Sequence, residues 1–177
     1  DDRFSDIKTE AGEYLQTWYE YLPEEIVNGT AKEGTIPLIL ALHGGGDDPR
    51  QYVDGQGFLE LAGKERLAIV APEKGSLHTT ATNGQSVLSQ VLPQLVKYML
   101  ETYPALDASR VYVTGYSMGC MASFEAIFGA PELFAAAYPQ AGIAGVAPTE
   151  EQVAKFANVN VPLILSTSEY DSPKNVD

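Results

Sequence analysis

The chain has 177 residues and a mass of 19.1 kDa, enough for one domain spanning residues 1–177. Hydrophobic residues make up 45% of it, which supports a packed core, while 11 Lys+Arg against 24 Asp+Glu leave a net charge of −13. Such an acidic surface argues against nucleic acid or an anionic membrane as partner, and the single cysteine, Cys120, excludes a disulfide within the chain.

The chain opens Asp1-Asp2-Arg3, with neither Met nor a basic-then-apolar leader, and reads as a mature or trimmed product. No apolar run approaches the ~20 residues of a membrane helix. Residues 13–22, rich in Tyr and around Trp18, can alternate between two faces and predict a half-exposed strand. Asn28-Gly29 marks a turn. IPLILAL at 36–42 is a continuous apolar run of the kind a buried parallel strand shows, and HGGGDDP after it is loop. Residues 50–66 predict a helix broken at Gly55 and Gly57. LAIVAP at 67–72 predicts a second buried strand, and 73–85 a loop. Val87, Val91, Leu95 and Met99 recur every fourth residue, so 86–102 predicts an amphipathic helix. RVYVTG at 110–115 predicts a strand and 117–128 the helix after it. A short strand at 134–138, a short helix at 149–156 and a last strand at 161–167 complete the series. Short apolar strands alternating with helices predict an α/β fold, a mostly parallel sheet with helices on both faces.

The strongest chemical signal is Gly115-Tyr116-Ser117-Met118-Gly119, a G-x-S-x-G between a predicted strand and a predicted helix. A turn that tight forces Ser117 into a strained backbone and lifts its hydroxyl above the carboxyl edge of the sheet, as a nucleophile requires. The Met118 N–H then lies at a helix N-terminus, where it can stabilise an oxyanion. His43-Gly44-Gly45-Gly46 follows an earlier strand, and the N–H groups of Gly44 and Gly45 are candidates for the other half of that oxyanion hole. His43 reads chiefly as a residue that holds this loop through ring hydrogen bonds, with a base or a substrate contact as the competing roles. Past the last strand, Ser168-Glu169-Tyr170-Asp171 offers two carboxylates to orient a catalytic imidazole. The position favours Asp171 over Glu169. The 73–85 loop, Asp47, Asp48 and Tyr170 are expected at the mouth of the pocket, with an acidic rim that disfavours anionic substrates.

The segments PLILALHGGG (37–46), LAIVAPE (67–73), SRVYVTGYSMGCMASFEAI (109–127) and VPLILSTSEYD (161–171) resemble the α/β-hydrolase superfamily. Within it the chain resembles the polyhydroxybutyrate-depolymerase-like group that includes feruloyl and acetylxylan esterases. The resemblance implies a serine esterase acting on a small-molecule or polymer-linked ester, with Ser117 as nucleophile, Asp171 as acid, and Met118 and the 44–46 loop as oxyanion hole. It implies no metal or organic cofactor, and a secreted or periplasmic protein. Two departures stand out: the family's HGxxD after the last strand reads STSEYD here, and Cys120 replaces a small residue, where it is expected to be buried and inert.

A serine triad needs a base, and in the family that histidine follows the acid. This chain has two histidines, His43 and His78, both before Asp171. The favoured expectation is that the last strand, its helix and the histidine lie beyond residue 177, or in a second polypeptide cleaved from the same precursor. The alternatives are that His78 substitutes as base (it could equally touch substrate), or that the protein binds without catalysis. A peptidase or amidase of the same fold is the competing enzyme reading.

Overall fold

The computed structural model describes residues 17–73 and 86–171. In chain order the elements are β1 (Trp18–Tyr21), α1 (Glu24–Val27), β2 (Ile36–Leu42), α2 (Pro49–Gly55), α3 (Phe58–Glu65) and β3 (Ala68–Pro72). There follow α4 (Val87–Thr102), β4 (Leu106–Tyr116), α5 (Met118–Gly129), a 3-10 turn at Pro131–Leu133, β5 (Ala136–Gln140) and α6 (Glu150–Phe156). Five strands form one sheet in the order β1-β3-β2-β4-β5. β3, β2, β4 and β5 pair in parallel, and β1 adds to β3 antiparallel, with Trp18 opposite Pro72.

The apolar run 36–42 becomes β2, the central strand of the sheet, because a strand covered on both faces has no use for polar alternation. Its residues divide by parity. Leu38, Leu40 and Leu42 point into the core built with α4 and α5, while Ile39 and Ala41 point to Tyr52, Val53 and Ala62 of α2 and α3. Helices therefore cover both faces, as the alternation of elements predicts. β4 begins four residues earlier than predicted, because Leu106 pairs with Ile36 before the register shifts at a bulge.

α4 starts at an N-cap, Ser86, whose hydroxyl accepts from the Leu88 N–H at 3.1 Å. Pro93 lies inside α4 and has no N–H for the Ser89 carbonyl. That carbonyl is where α5 comes closest: a Cβ on Gly129 would stand 2.0 Å from it. α6 begins with a reciprocal capping box between Thr149 and Gln152.

One predicted element is corrected. Residues 161–167 do not form a regular strand; they meet β5 through isolated parallel bridges, Ala137 with Leu163 and Gln140 with Ser166. The cause is Pro139 in β5. Ala137 N–H donates to Pro162 O (2.9 Å), Ile164 N–H to Ala137 O (3.0 Å) and Ala141 N–H to Ser166 O (2.7 Å). The donor due between them would be residue 139, a proline without an N–H, so the ladder breaks there. Leu163, Ile164 and Leu165 are exposed. On the α2/α3 face, the half of the sheet beyond α3 forms an open apolar groove of about 250 Å³, bordered by Phe58, Tyr112, Tyr138 and Ile164.

Candidate active site

Ser117 stands between β4 and α5 with φ 56° and ψ −113°, a conformation that costs an L-residue on the order of 1–3 kcal/mol. Its neighbours explain how it is held there. A Cβ on Gly115 would lie 2.2 Å from the Gly119 carbonyl oxygen, and one on Gly119 would lie 1.8 Å from the Leu42 carbonyl oxygen. Both positions must therefore be glycine for strand, turn and helix to close upon β2. The Ser117 N–H donates to Gln140 O at 3.0 Å, and the Ser117 carbonyl accepts from Cys120 (2.9 Å) and Met121 (3.3 Å). The strain is thus over-determined by backbone bonds on both sides.

The glycine loop after β2 lies directly over this turn. A Cβ on Gly45 would meet Met118 Sδ at 2.5 Å, and one on Gly44 would meet the Tyr116 ring at 3.3 Å and Asp47 Oδ2 at 3.0 Å. A side chain there would have to displace Met118, Tyr116 or Asp47, so the loop backbone comes close to the first turn of α5. Met118 N–H, the first of that helix, has no acceptor within the helix. Strained serine, helix N-terminus and glycine loop thus share one edge of the sheet. Together they can present a hydroxyl to a carbonyl and N–H groups to the charge that develops on its oxygen.

His43 is 5% exposed and sits under that loop. Its Nδ1 lies 2.8 Å from Gly44 O, which can only accept, so Nδ1 carries the proton. Nε2 faces Glu73 Oε1 at 3.5 Å. His78 lies outside the described residues, as does most of the 73–85 loop.

Asp171 is half-buried, its Oδ2 accepting from Thr167 Oγ1 at 3.1 Å and its N–H donating to Ser168 O at 2.9 Å. Glu169 beside it is exposed, and Tyr170 is 89% exposed. The 161–167 segment that carries them is the second backbone over from β4, with β5 between: Ser117 is tied to Gln140, and Ala141 to Ser166. Two strand spacings of about 4.8 Å, about 10 Å in all, separate β4 from that segment. The Asp48 carboxylate caps α2 by accepting from the Gln51 N–H at 2.9 Å.

Cys120 is 1% exposed, and burial pushes its thiol up to about 11. Behind it, Glu125 of α5 is 7% exposed and accepts from the Ser86 hydroxyl, with Gln152 nearby. Burial raises its carboxyl, and the Ser86 hydrogen bond opposes that shift. The sequence reading passed over Glu125 and Glu73; the first had a signal, a lone charge within the apolar SMGCMASFEAIF. Among the described residues, no three His, Cys, Asp or Glu side chains converge as a metal site requires, and no helix is long and apolar enough to cross a membrane.

Known proteins resemble this chain in sequence and fold. The model of the prolyl oligopeptidase family matches residues 78–172, just over half of the chain. Acetylxylan esterase A of Emericella nidulans is 29% identical over 148 residues, which are 79% of this chain and 45% of that protein. Feruloyl esterase B of Thermothelomyces thermophilus is 26% identical over 148 residues, 78% of this chain and 48% of its own. The chain therefore spans less than half the length of either relative. Among solved structures, a thermostable esterase superposes with a TM-score of 0.67 at 24% identity, over 96% of this chain and 47% of that one. An S-formylglutathione hydrolase of Staphylococcus aureus gives 0.64 at 16% identity, over 87% and 73%. At these identities the structures speak for the fold alone, which is that of the α/β-hydrolases.

Proposed function

The chain belongs to the prolyl oligopeptidase family, and from its esterase relatives and the geometry at Ser117 we propose that it hydrolyses carboxylic esters through an acyl-enzyme on Ser117. The observation that carries this is the strained Ser117 backbone, closed in by two obligatory glycines beneath the Gly44–Gly45 loop. A binding protein gains nothing from such strain, whereas a nucleophile gains exposure and alignment. The ester relatives in the comparison favour an acyl ester, small or polymer-linked, as the substrate.

In this reading the Ser117 hydroxyl adds to the ester carbonyl carbon while an imidazole takes its proton. N–H groups of Met118, Gly44 and Gly45 stabilise the oxyanion. The carbon–oxygen bond to the alcohol then breaks, the imidazole returns the proton to the departing alcohol, and water releases the acid by the same path reversed. Asp171 orients the imidazole from beyond the segment on the far side of β5. We assign that imidazole to a histidine other than His43, whose ring is engaged with Gly44 and Glu73.

The matched family is described by a peptidase, so amide hydrolysis at the same serine is the second reading. One experiment separates the two and tests both. A fluorophosphonate probe is expected to label the full-length protein, and Ser117→Ala to abolish labelling. Acetyl and feruloyl esters are expected to turn over and aminoacyl amides not to; the reverse preference establishes the peptidase reading. Absence of labelling in the full-length protein refutes both.

A further inference from the structure

We propose that His43, braced by Glu73, is a positioning residue that aims the Gly45 N–H for the ester hydrolysis assigned to Ser117; the inference rests on that assignment. The chain has no cis peptide bond among its described residues, so the Gly44–Gly45 peptide is trans and its C=O and N–H point in opposite directions. The His43 Nδ1–H holds the Gly44 carbonyl at 2.8 Å. It thereby turns the Gly45 N–H of the same plane away from the ring. Gly45 itself stands against Met118, one residue past the strained serine.

The ring in turn is held. It is 5% exposed, and the His43 carbonyl lies where a Cβ on Gly119 would be, 2.9 Å away, so its backbone is wedged against the serine turn. Glu73 Oε1 faces Nε2 at 3.5 Å from the end of β3, the strand beside β2. Its own backbone is fixed, since the Glu73 N–H donates to Thr17 O at 3.0 Å in continuation of the β1–β3 pairing. Glu73 thus restrains the ring from its Nε2 side, while the Gly44 carbonyl, which can only accept, fixes the proton on Nδ1. The chain of orientation runs Glu73, His43, Gly44 carbonyl, Gly45 N–H.

The test uses the two amide variants of His43, each of which reproduces one ring nitrogen. His43→Asn places an N–H donor near the Nδ1 position, and His43→Gln places one near Nε2. We expect His43→Gln to lower kcat for an acetyl ester about 10- to 100-fold with KM within about twofold, because a misaimed oxyanion donor costs in the transition state. His43→Asn is expected to recover most of that loss, and Glu73→Gln to lower kcat several-fold. Equal losses in Asn and Gln, or a loss carried by KM, overturn the proposal. Nitrogen-15 NMR of the ring in Ser117→Ala protein gives a readout independent of turnover: Nδ1 is expected protonated and hydrogen-bonded, and a bare Nδ1 overturns it. Turnover that survives Ser117→Ala instead removes the ester-hydrolysis assignment, and is distinguished in that way.

Discussion

A Cβ on Gly119 would lie 1.8 Å from the carbonyl oxygen of Leu42. The serine turn is therefore seated on the backbone of the adjoining strand with no room for a single methyl group. Gly119→Ala is expected to destabilise the fold by about 3 kcal/mol or more, because a rigid backbone must move. Gly55→Ala is the control: nothing lies within 4 Å of its Cβ and its φ is ordinary, so a gain of about 0.5–1 kcal/mol is expected. Urea denaturation of the two variants measures both signs.

The strain at Ser117 predicts a trade between stability and activity. Ser117→Gly removes the penalty of a positive φ, on the order of 1–3 kcal/mol, while adding the entropic cost of glycine. A net gain of about 1 kcal/mol is expected, a rise of a few degrees in Tm for a domain of this size. Turnover and fluorophosphonate labelling are expected to vanish together. A variant that melts lower than the parent would show that the serine is not strained.

Glu125 predicts how stability depends on pH. Burial raises its carboxyl above the ordinary value of 4.5. Below that value both folded and unfolded chains hold the proton. As the pH climbs, the unfolded chain ionises first, so stability is lost as pH rises through the raised value of the folded state. Glu125→Gln keeps a neutral partner for Ser86 and cannot ionise. Its Tm relative to the parent is expected to grow from pH 4 to pH 8; a flat difference contradicts the account.

Cys120 predicts a silent thiol. With 1% exposure and a thiol pushed up to about 11, it carries almost no thiolate at pH 8. Iodoacetamide is expected to leave the native protein unmodified over a time that alkylates the urea-unfolded chain completely. Native labelling at a comparable rate would mean that the turn at Ala141–Gly142, which packs on this side chain, opens readily.

The features legible in the sequence were those encoded locally. Residues 36–42 are covered on both faces and carry that fact in unbroken apolarity, so β2 matches the reading to the residue. The Gly115–Gly119 pattern names its own turn, since only glycines tolerate the contacts observed there. What escaped was relational. The apolarity of 161–167 reads as strand, but whether it pairs depends on Pro139 in another element. Glu73 ends its strand like any loop acid, and it meets His43 only because β3 lies beside β2. The capping role of Asp48 becomes visible only once α2 is seen to start on it.

The interrupted bonding opposite Pro139 has a consequence for dynamics. Residues 162–166 are joined to β5 by bonds at Ala137 and Ala141, with none donated from between them. Such a segment opens at a free energy set by its own few contacts rather than by global unfolding. Hydrogen exchange at Ile164 should therefore outpace exchange in β2 by orders of magnitude. Exchange is expected to stay slow at the Ser117 N–H, which donates to Gln140 O at 3.0 Å beside the β4–β5 pairing.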